Sequence, residues 1–250
     1  MGQFSNQYYS HEHSLEVLNL LYGYDSFLDS LTSIADMGCG SGLDVEWWAS
    51  LYTRDDPPEP RNYTVYAVDQ DVGKIDPDIL TRNPNIITLE GNFENRLIPR
   101  QVDLVWSHDS FQFAREPFKC LQTWKQTLNE NGMMILTIPQ STYVKENSLY
   151  VEQHNNQFYS YNILNLIYML AVSGFDCKDA YFYRKQNSPW LYAAVYATAK
   201  EFSPGITWYE LADQGLINDS LINSVNRHGF ARLEDLVVTW LDKDYYKIRN

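Results

Sequence analysis

Cysteine is scarce in this chain: Cys39, Cys120 and Cys177 are the only three in 250 residues, odd in number and widely spaced. That pattern excludes a disulfide framework and a zinc-ligand array, and it fits a reducing, cytoplasmic setting. Basic residues are also few. Nineteen Lys and Arg stand against 32 Asp and Glu, a formal net charge of −13, and no run of Lys or Arg occurs. A protein that grips a phosphate backbone shows a basic face, so nucleic acid is not the expected partner. No apolar stretch has the length needed to cross a bilayer, so no membrane partner is expected either. The segment Met1-Gly2-Gln3-Phe4-Ser5-Asn6 has no basic run before an apolar core, and its sixth position lacks the Ser or Thr of a myristoylation signal. His11-x-His13 is the one hint of metal spacing, but no third ligand cluster accompanies it, and no metal is expected.

What the chain has is apolar material, 44% of residues, and aromatics, 15%, including 19 tyrosines and 7 tryptophans. That suffices for one α/β domain with additions. The most informative stretch is Ile34-Ala35-Asp36-Met37-Gly38-Cys39-Gly40-Ser41-Gly42, which runs into Leu43-Asp44-Val45-Glu46-Trp47-Trp48-Ala49. It reads as a buried strand, a glycine-rich turn and a helix, a junction where backbone approaches a ligand and helix N–H groups point at it. A second strand, Tyr63-Thr64-Val65-Tyr66-Ala67-Val68, ends in Asp69, an acid suited to the two ribose hydroxyls of a nucleoside. The plainer reading is a tight strand–helix turn, with Asp69 a strand-end cap. The glycines fall as G-x-G-x-G, not the G-x-G-x-x-G of dinucleotide binders. Asp36 before the first glycine and Asp44 in the first helical turn repel a pyrophosphate. They suit a cofactor carrying an ammonium and a sulfonium, which is S-adenosylmethionine.

Here the chain resembles the class I S-adenosylmethionine-dependent methyltransferases. The family's hydrophobic-Asp-x-Gly-x-Gly-x-Gly pattern stands at 35–42, and Asp69 is the acid ending the second strand. Asn85-Ile86-Ile87-Thr88-Leu89-Glu90-Gly91-Asn92-Phe93 looks like the third strand and the loop flanking the adenine. Gln101-Val102-Asp103-Leu104-Val105-Trp106-Ser107-His108-Asp109 looks like the fourth strand and the loop that faces the substrate, and Trp124–Leu136 matches the next helix, Gly turn and strand. Ser107-His108-Asp109-Ser110-Phe111-Gln112-Phe113 is similar to the branch that methylates small molecules. The Asn/Asp-Pro-Pro-aromatic signature of amino-methylating DNA enzymes is absent there.

The resemblance spans about residues 30–200. It implies a Rossmann-like, mostly parallel seven-stranded sheet with a C-terminal antiparallel hairpin and helices on both faces. It further implies that Asp36, Gly38 and Gly40 line the methionine end of the cofactor. Asp69 then holds the ribose, Gln70 lies beside the adenine, and Asn92 and Phe93 hold the adenine edge and face. Cys39 and Ser107 complete the cofactor set, Cys39 as a small filler. Two departures stand out. Asn92 occupies a position where Asp is usual, though an amide carbonyl also accepts from the adenine amino group. An insert at 53–62, rich in proline and charge, reads as a surface loop.

Three segments are expected: a helical N-terminal cap at 1–32, the cofactor-binding core at 33–200 and a helical extension at 201–250. Leu15, Val17, Leu18, Leu20 and Leu21 have helical spacing behind Ser10, and a short helix follows from Asp25 to Leu31. Alternating strands and helices from 33 to 138 argue for a parallel sheet. Asp76-Pro77 starts a helix that ends near Arg82. A long polar and aromatic segment from Pro139 to Ser160 has the length of a functional loop. A helix over 161–172, strands over 175–183 and 190–199, and helices at 208–212 and 233–241 follow. The last two helices offer a homodimer surface or a cover over the pocket, although packing back onto the domain is the default.

Methyl transfer from a sulfonium is an in-line displacement whose leaving group departs neutral. Positioning therefore supplies most of the catalysis, and a base is needed only when the nucleophile starts protonated. His108, at the carboxyl edge of the fourth strand, is the candidate base, and Asp109 is the alternative, placed to bind an acceptor ammonium. As plain structure, each is a hydrogen-bonded residue at a strand end. Tyr8 and Tyr9, with His11 and His13, are expected to fold over the sulfonium as a lid. Tyr143, with Tyr150, His154 and Tyr159, is expected to shape the acceptor pocket or to pack the added helices. The expected function is methylation of an oxygen or nitrogen nucleophile on a small-molecule acceptor. The rivals are a protein (less readily RNA) methyltransferase, an inactive binding protein on the same fold and, more distantly, a nicotinamide-dependent oxidoreductase.

Overall fold

A computed structural model describes residues 25–53, 55–140, 142–145, 148–151, 158–159, 161–184, 190–229 and 239–240. Of 25–26, 142–145, 148–151, 183–184 and 239–240 it describes the backbone alone. The described residues begin with helix α1 (Asp25–Ser30), β1 (Ser33–Met37), α2 (Leu43–Ala49) and β2 (Thr64–Asp69). All five residues of β1 are buried, as a central parallel strand covered on both faces requires. Helix α3 (Pro77–Arg82) starts where Asp76-Pro77 predicts: the Asp76 carboxylate accepts from the Asp78 N–H at 2.9 Å, and proline takes the first turn.

Strands β3 (Ile86–Glu90) and β4 (Val102–His108) lead to α4 (Pro117–Thr127) and β5 (Leu128–Pro139). Between Leu128 and Met133 the register of β5 slips against Val102 and Leu104 of β4, with Asn131 at φ 62° in the extra residues. The segment after Pro139, read from sequence as an irregular connection, holds a two-stranded antiparallel hairpin, β6 (Thr142–Lys145) and β7 (Ser148–Val151). Helix α5 (Ile163–Val172) begins two residues later than expected, because Asn162 forms a capping box with Asn165. Strands β8 (Phe175–Arg184) and β9 (Trp190–Ala197) form the expected antiparallel pair, and helices α6 (Trp208–Asp213) and α7 (Asp219–His228) follow.

The main sheet has the order β10-β8-β9-β5-β4-β1-β2-β3, with β1 to β5 mutually parallel and β9 antiparallel to both neighbours. Seven of these strands are the expected ones. The eighth, β10 (Thr239–Trp240), corrects the reading of 233–241 as a helix: these two residues pair with Tyr181 and Phe182 along the open edge of β8. An edge offers unpaired N–H and C=O groups, and a β-branched and an aromatic residue suit that pairing.

Two apolar clusters cover the sheet, one on each face. Leu28, Val45, Trp48 and Ile79 bring α1, α2 and α3 to one face. Leu121, Trp124, Leu166, Leu170, Leu211 and Leu221 bring α4 to α7 to the other. The chain builds outward from β1 through β2 to β3, then returns to place β4 on the far side of β1. That reversal opens a crevice at the carboxyl ends of β1 and β4, where open α/β sheets bind ligands. Among the described residues no helix is long and apolar enough to cross a membrane.

Candidate active site

The glycine turn occupies that crevice. The N–H groups of Gly38 and Cys39 both donate to the Val68 carbonyl, at 2.8 and 3.0 Å, which folds the turn over the end of β2. Gly40 N–H donates to Asp69 Oδ2 at 3.0 Å, and Asp71 N–H donates to Asp69 Oδ1 at 3.0 Å. Asp69 thereby ties the turn to β2, and each carboxylate oxygen keeps a further lone pair for a ligand hydroxyl.

Two of the glycines have different reasons to be there. At Gly38, φ 86°, a Cβ would stand 2.4 Å from the Cβ of Ser110, so the turn packs directly on the loop after β4. Ser110 also donates its hydroxyl to the Met37 carbonyl and lies 2.7 Å from the Ser107 hydroxyl. At Gly40, φ 54°, nothing lies within 4 Å of the place a Cβ would take. The first glycine meets protein, whereas the second faces open space beside Asp69. Backbone there is accessible to a ligand.

The charges around the turn are acidic and enclosed. Asp36 is buried, and its Oδ2 has no hydrogen-bond partner among the described residues. Burial first, then the charges of Asp44 and Asp69, hold its carboxyl well above the ordinary carboxylate range. A buried carboxylate with an open acceptor is costly unless something positive or hydrogen-bonding reaches it. An ammonium does both, so this donor and acceptor set fits the amino-acid end of S-adenosylmethionine. Cys39 is no nucleophile: burial, then Asp36 and Asp69, push its thiol far up.

The other residues expected at the cofactor are spread along the same edge. Gln70 is exposed after β2. Asn92 forms a tight turn with Glu94, accepting from its N–H at 2.9 Å and donating to its carboxylate at 3.2 Å. Glu94 in turn accepts from the N–H groups of Arg115 and Glu116, which fixes the loop. Phe93 is buried with its ring 5.9 Å from that of Trp124, and its Cδ1 is 3.8 Å from the vacant Cβ position of Gly38. Tyr8 and Tyr9 lie outside the described residues, as do His11 and His13. Tyr143 is described by its backbone alone, in β6.

At the end of β4 the His108 imidazole is enclosed, its side chain 7% exposed, with Nδ1 3.6 Å from Asp44 Oδ2. The same Oδ2 accepts from Trp106 Nε1–H at 2.9 Å. The rings of Trp106 and Trp190 flank the imidazole, with centroids at 6.5 and 5.7 Å and interplanar angles of 29° and 31°. Asp109, the next residue, takes φ 52°, donates its N–H to the Thr137 carbonyl and accepts from Gln112 Nε2 at 2.6 Å. Thr137 is in register with His108 across β4 and β5, and its buried hydroxyl has no partner among the described residues.

Residues 35–136 match a family model described as a methyltransferase domain. Those residues form a methyltransferase domain on a Rossmann-like fold. Its fold is shared with 1,6-didemethyltoxoflavin-N1-methyltransferase from Burkholderia thailandensis, solved with 1,6-didemethyltoxoflavin and S-adenosylhomocysteine. That pair shows 13% identity and a TM-score of 0.51, covering 78% of this chain and 86% of the other. It is also shared with phosphoethanolamine N-methyltransferase 2 of Haemonchus contortus, solved with phosphomonomethylethanolamine and S-adenosylhomocysteine. Here identity is 12%, the TM-score 0.50, and coverage 67% of this chain and 49% of that one. The CurJ carbon methyltransferase gives 9% identity, a TM-score of 0.50 and coverage of 67% and 49%. No curated protein matches this chain in sequence.

Three residues of the methyltransferase site were not assigned these contacts from sequence. Asp44 was read for its charge alone, whereas its carboxylate also engages Trp106 and His108. Ser110 fills the space that makes Gly38 a glycine. Thr137 faces the same way as His108 from the next strand. Only one of these contacts left a trace in sequence: Trp106 and His108, which Asp44 joins, are two apart on one strand and so share a face.

Proposed function

We propose that this methyltransferase acts on an oxygen or nitrogen nucleophile of a small, polar acceptor, with His108 as general base. The observation that carries the reading is the buried imidazole at the carboxyl end of β4, beside the glycine turn and in register with the Thr137 hydroxyl. Asp36, Gly38, Cys39, Gly40 and Ser107 surround the methionine end of the cofactor. Asp69 and Gln70 take the ribose and its base, and Asn92 and Phe93 bound the adenine. When bound, S-adenosylmethionine supplies an electrophilic methyl group whose carbon–sulfur bonding pair returns to sulfur on attack. His108 Nε2 takes the O–H or N–H proton as the nucleophile's lone pair forms the new bond to carbon. The resulting imidazolium stands beside the Asp44 carboxylate, which offsets its charge. Two fold relatives hold small acceptors, and the charge of −13 disfavours a polyanionic one. The test is an acceptor screen with isotopically labelled methyl donor, then His108→Ala on the best acceptor. Loss of a general base lowers kcat roughly 10²–10⁴-fold. Turnover within a few-fold of wild type would remove His108 from the chemistry.

A further inference from the structure

Asp44 has one oxygen serving two partners. Its Oδ2 accepts the Trp106 indole N–H at 2.9 Å and stands 3.6 Å from His108 Nδ1, all three side chains being buried. A simple indole acceptor needs no charge, and Asn or Gln in this place would do as well. A carboxylate within ion-pair distance of one imidazole nitrogen does something more. It favours the tautomer with its proton on Nδ1, leaving the lone pair on Nε2, and it stabilises the cationic ring. The 3.6 Å separation is longer than a formed hydrogen bond, as is common before a site closes on its substrates. Trp106 and Trp190 lie beside the imidazole, with centroids at 6.5 and 5.7 Å, and in this orientation the ring turns Nδ1 towards Asp44.

Position in the fold adds a second element. Asp44 is in the first turn of α2, immediately after the glycine turn, and the Glu46 N–H bonds the Gly42 carbonyl there. One short rigid unit therefore presents both the backbone that meets the cofactor and the carboxylate that meets the candidate base.

We infer that Asp44 is a positioning residue for His108, setting its tautomer and orientation so that Nε2 faces the acceptor, while Trp106 holds the carboxylate in place. This rests on the reading of His108 as the base, and the experiment separates the two. Nitrogen-15 ring spectra of the protein, with the His108 signals assigned by their loss in His108→Gln, report the tautomer without any acceptor. The expected result is a proton on Nδ1 in wild type, and a shift towards the Nε2–H form in Asp44→Asn, which keeps an acceptor for Trp106 but loses the charge. Asp44→Glu restores the Nδ1–H form at least in part and guards against a folding defect in the Asn variant. An Nε2–H tautomer in wild type, or an unchanged tautomer in Asp44→Asn, overturns the inference.

With the acceptor from the screen, Asp44→Asn is expected to lower kcat by about 10–1,000-fold. The acceptor KM should stay within about threefold, so that the loss falls on kcat. A wild-type kcat in Asp44→Asn together with a severe loss in His108→Ala defeats Asp44 and spares the base. Near-normal turnover in both defeats the base reading itself.

Discussion

At the scale of single residues, Asp36 carries the sharpest consequence. Its carboxyl is held well above the usual range by burial and by the neighbouring Asp44 and Asp69 charges. A carboxyl raised on folding contributes stability when protonated and loses it as pH rises through the folded value, because the native state must then hold an uncompensated buried charge. The cofactor's ammonium favours the ionised form. S-adenosylmethionine affinity should therefore increase with pH through that range, and binding should release protons, visible as a buffer dependence of calorimetric enthalpy. Asp36→Asn should melt at or above the wild-type temperature at pH 8 without ligand, yet bind the cofactor at least about tenfold more weakly, the loss of one charge-assisted contact. Lower stability of Asp36→Asn with unchanged affinity would contradict this assignment. Asp69 belongs to the same scale but not to the same case. Its carboxylate already accepts two backbone N–H groups, so it is needed for the shape of the turn as well as for a ribose.

Among the elements, the amino ends of β1, β4 and β5 are joined by one carboxylate. Asp103 Oδ2 accepts from the N–H and hydroxyl of both Thr32 and Ser33, at 2.7 to 3.2 Å, and Oδ1 accepts from Asn129 Nδ2. Burial alone would raise this carboxyl, but the hydrogen bonds outweigh it and hold it below the ordinary range. A depressed carboxyl contributes stability above its unfolded pKa and loses it as pH falls through the folded value. Asp103→Ala should cost about 1.5–3 kcal/mol at neutral pH, and the difference from wild type should shrink on acidification. A chemical denaturation series at two pH values checks both; a deficit that is absent at neutral pH, or grows on acidification, would contradict the account.

Much at this scale was readable in advance. Asp76-Pro77 announces α3 through a cap and a pre-set φ, and Ile34-Ala35-Asp36-Met37 running into the glycine turn announces the buried strand β1. What escaped was set by distant partners. Thr239 and Trp240 follow an apolar, helix-like run, and only the open edge of β8, nearly 60 residues earlier in the chain, makes them a strand. The hairpin β6–β7 hid in a segment whose tyrosines and polar residues were read for composition rather than for alternation.

For the whole molecule, the parallel sheet with its closing hairpin was legible through the family resemblance, and its ligand-binding edge through glycine spacing and strand-end acids, which are local signals. The contacts that give the site its chemistry were not. Asp44 and His108 are 64 positions apart, and nothing in either neighbourhood says that their side chains meet. The reversal of strand order brings them together, and the same reversal exposes Gly40 next to Asp69.

That convergence is tested most directly by melting the protein against S-adenosylmethionine and S-adenosylhomocysteine, with a dinucleotide as control. Binding to the native state at about 100 times Kd adds roughly 2.7 kcal/mol. For a chain of this size that is a rise of about 5–11 °C. The acidic, open-faced turn predicts saturable rises with both methionine-derived nucleosides and none with the dinucleotide. Flat melting curves with both nucleosides, or stabilisation by the dinucleotide alone, would contradict it.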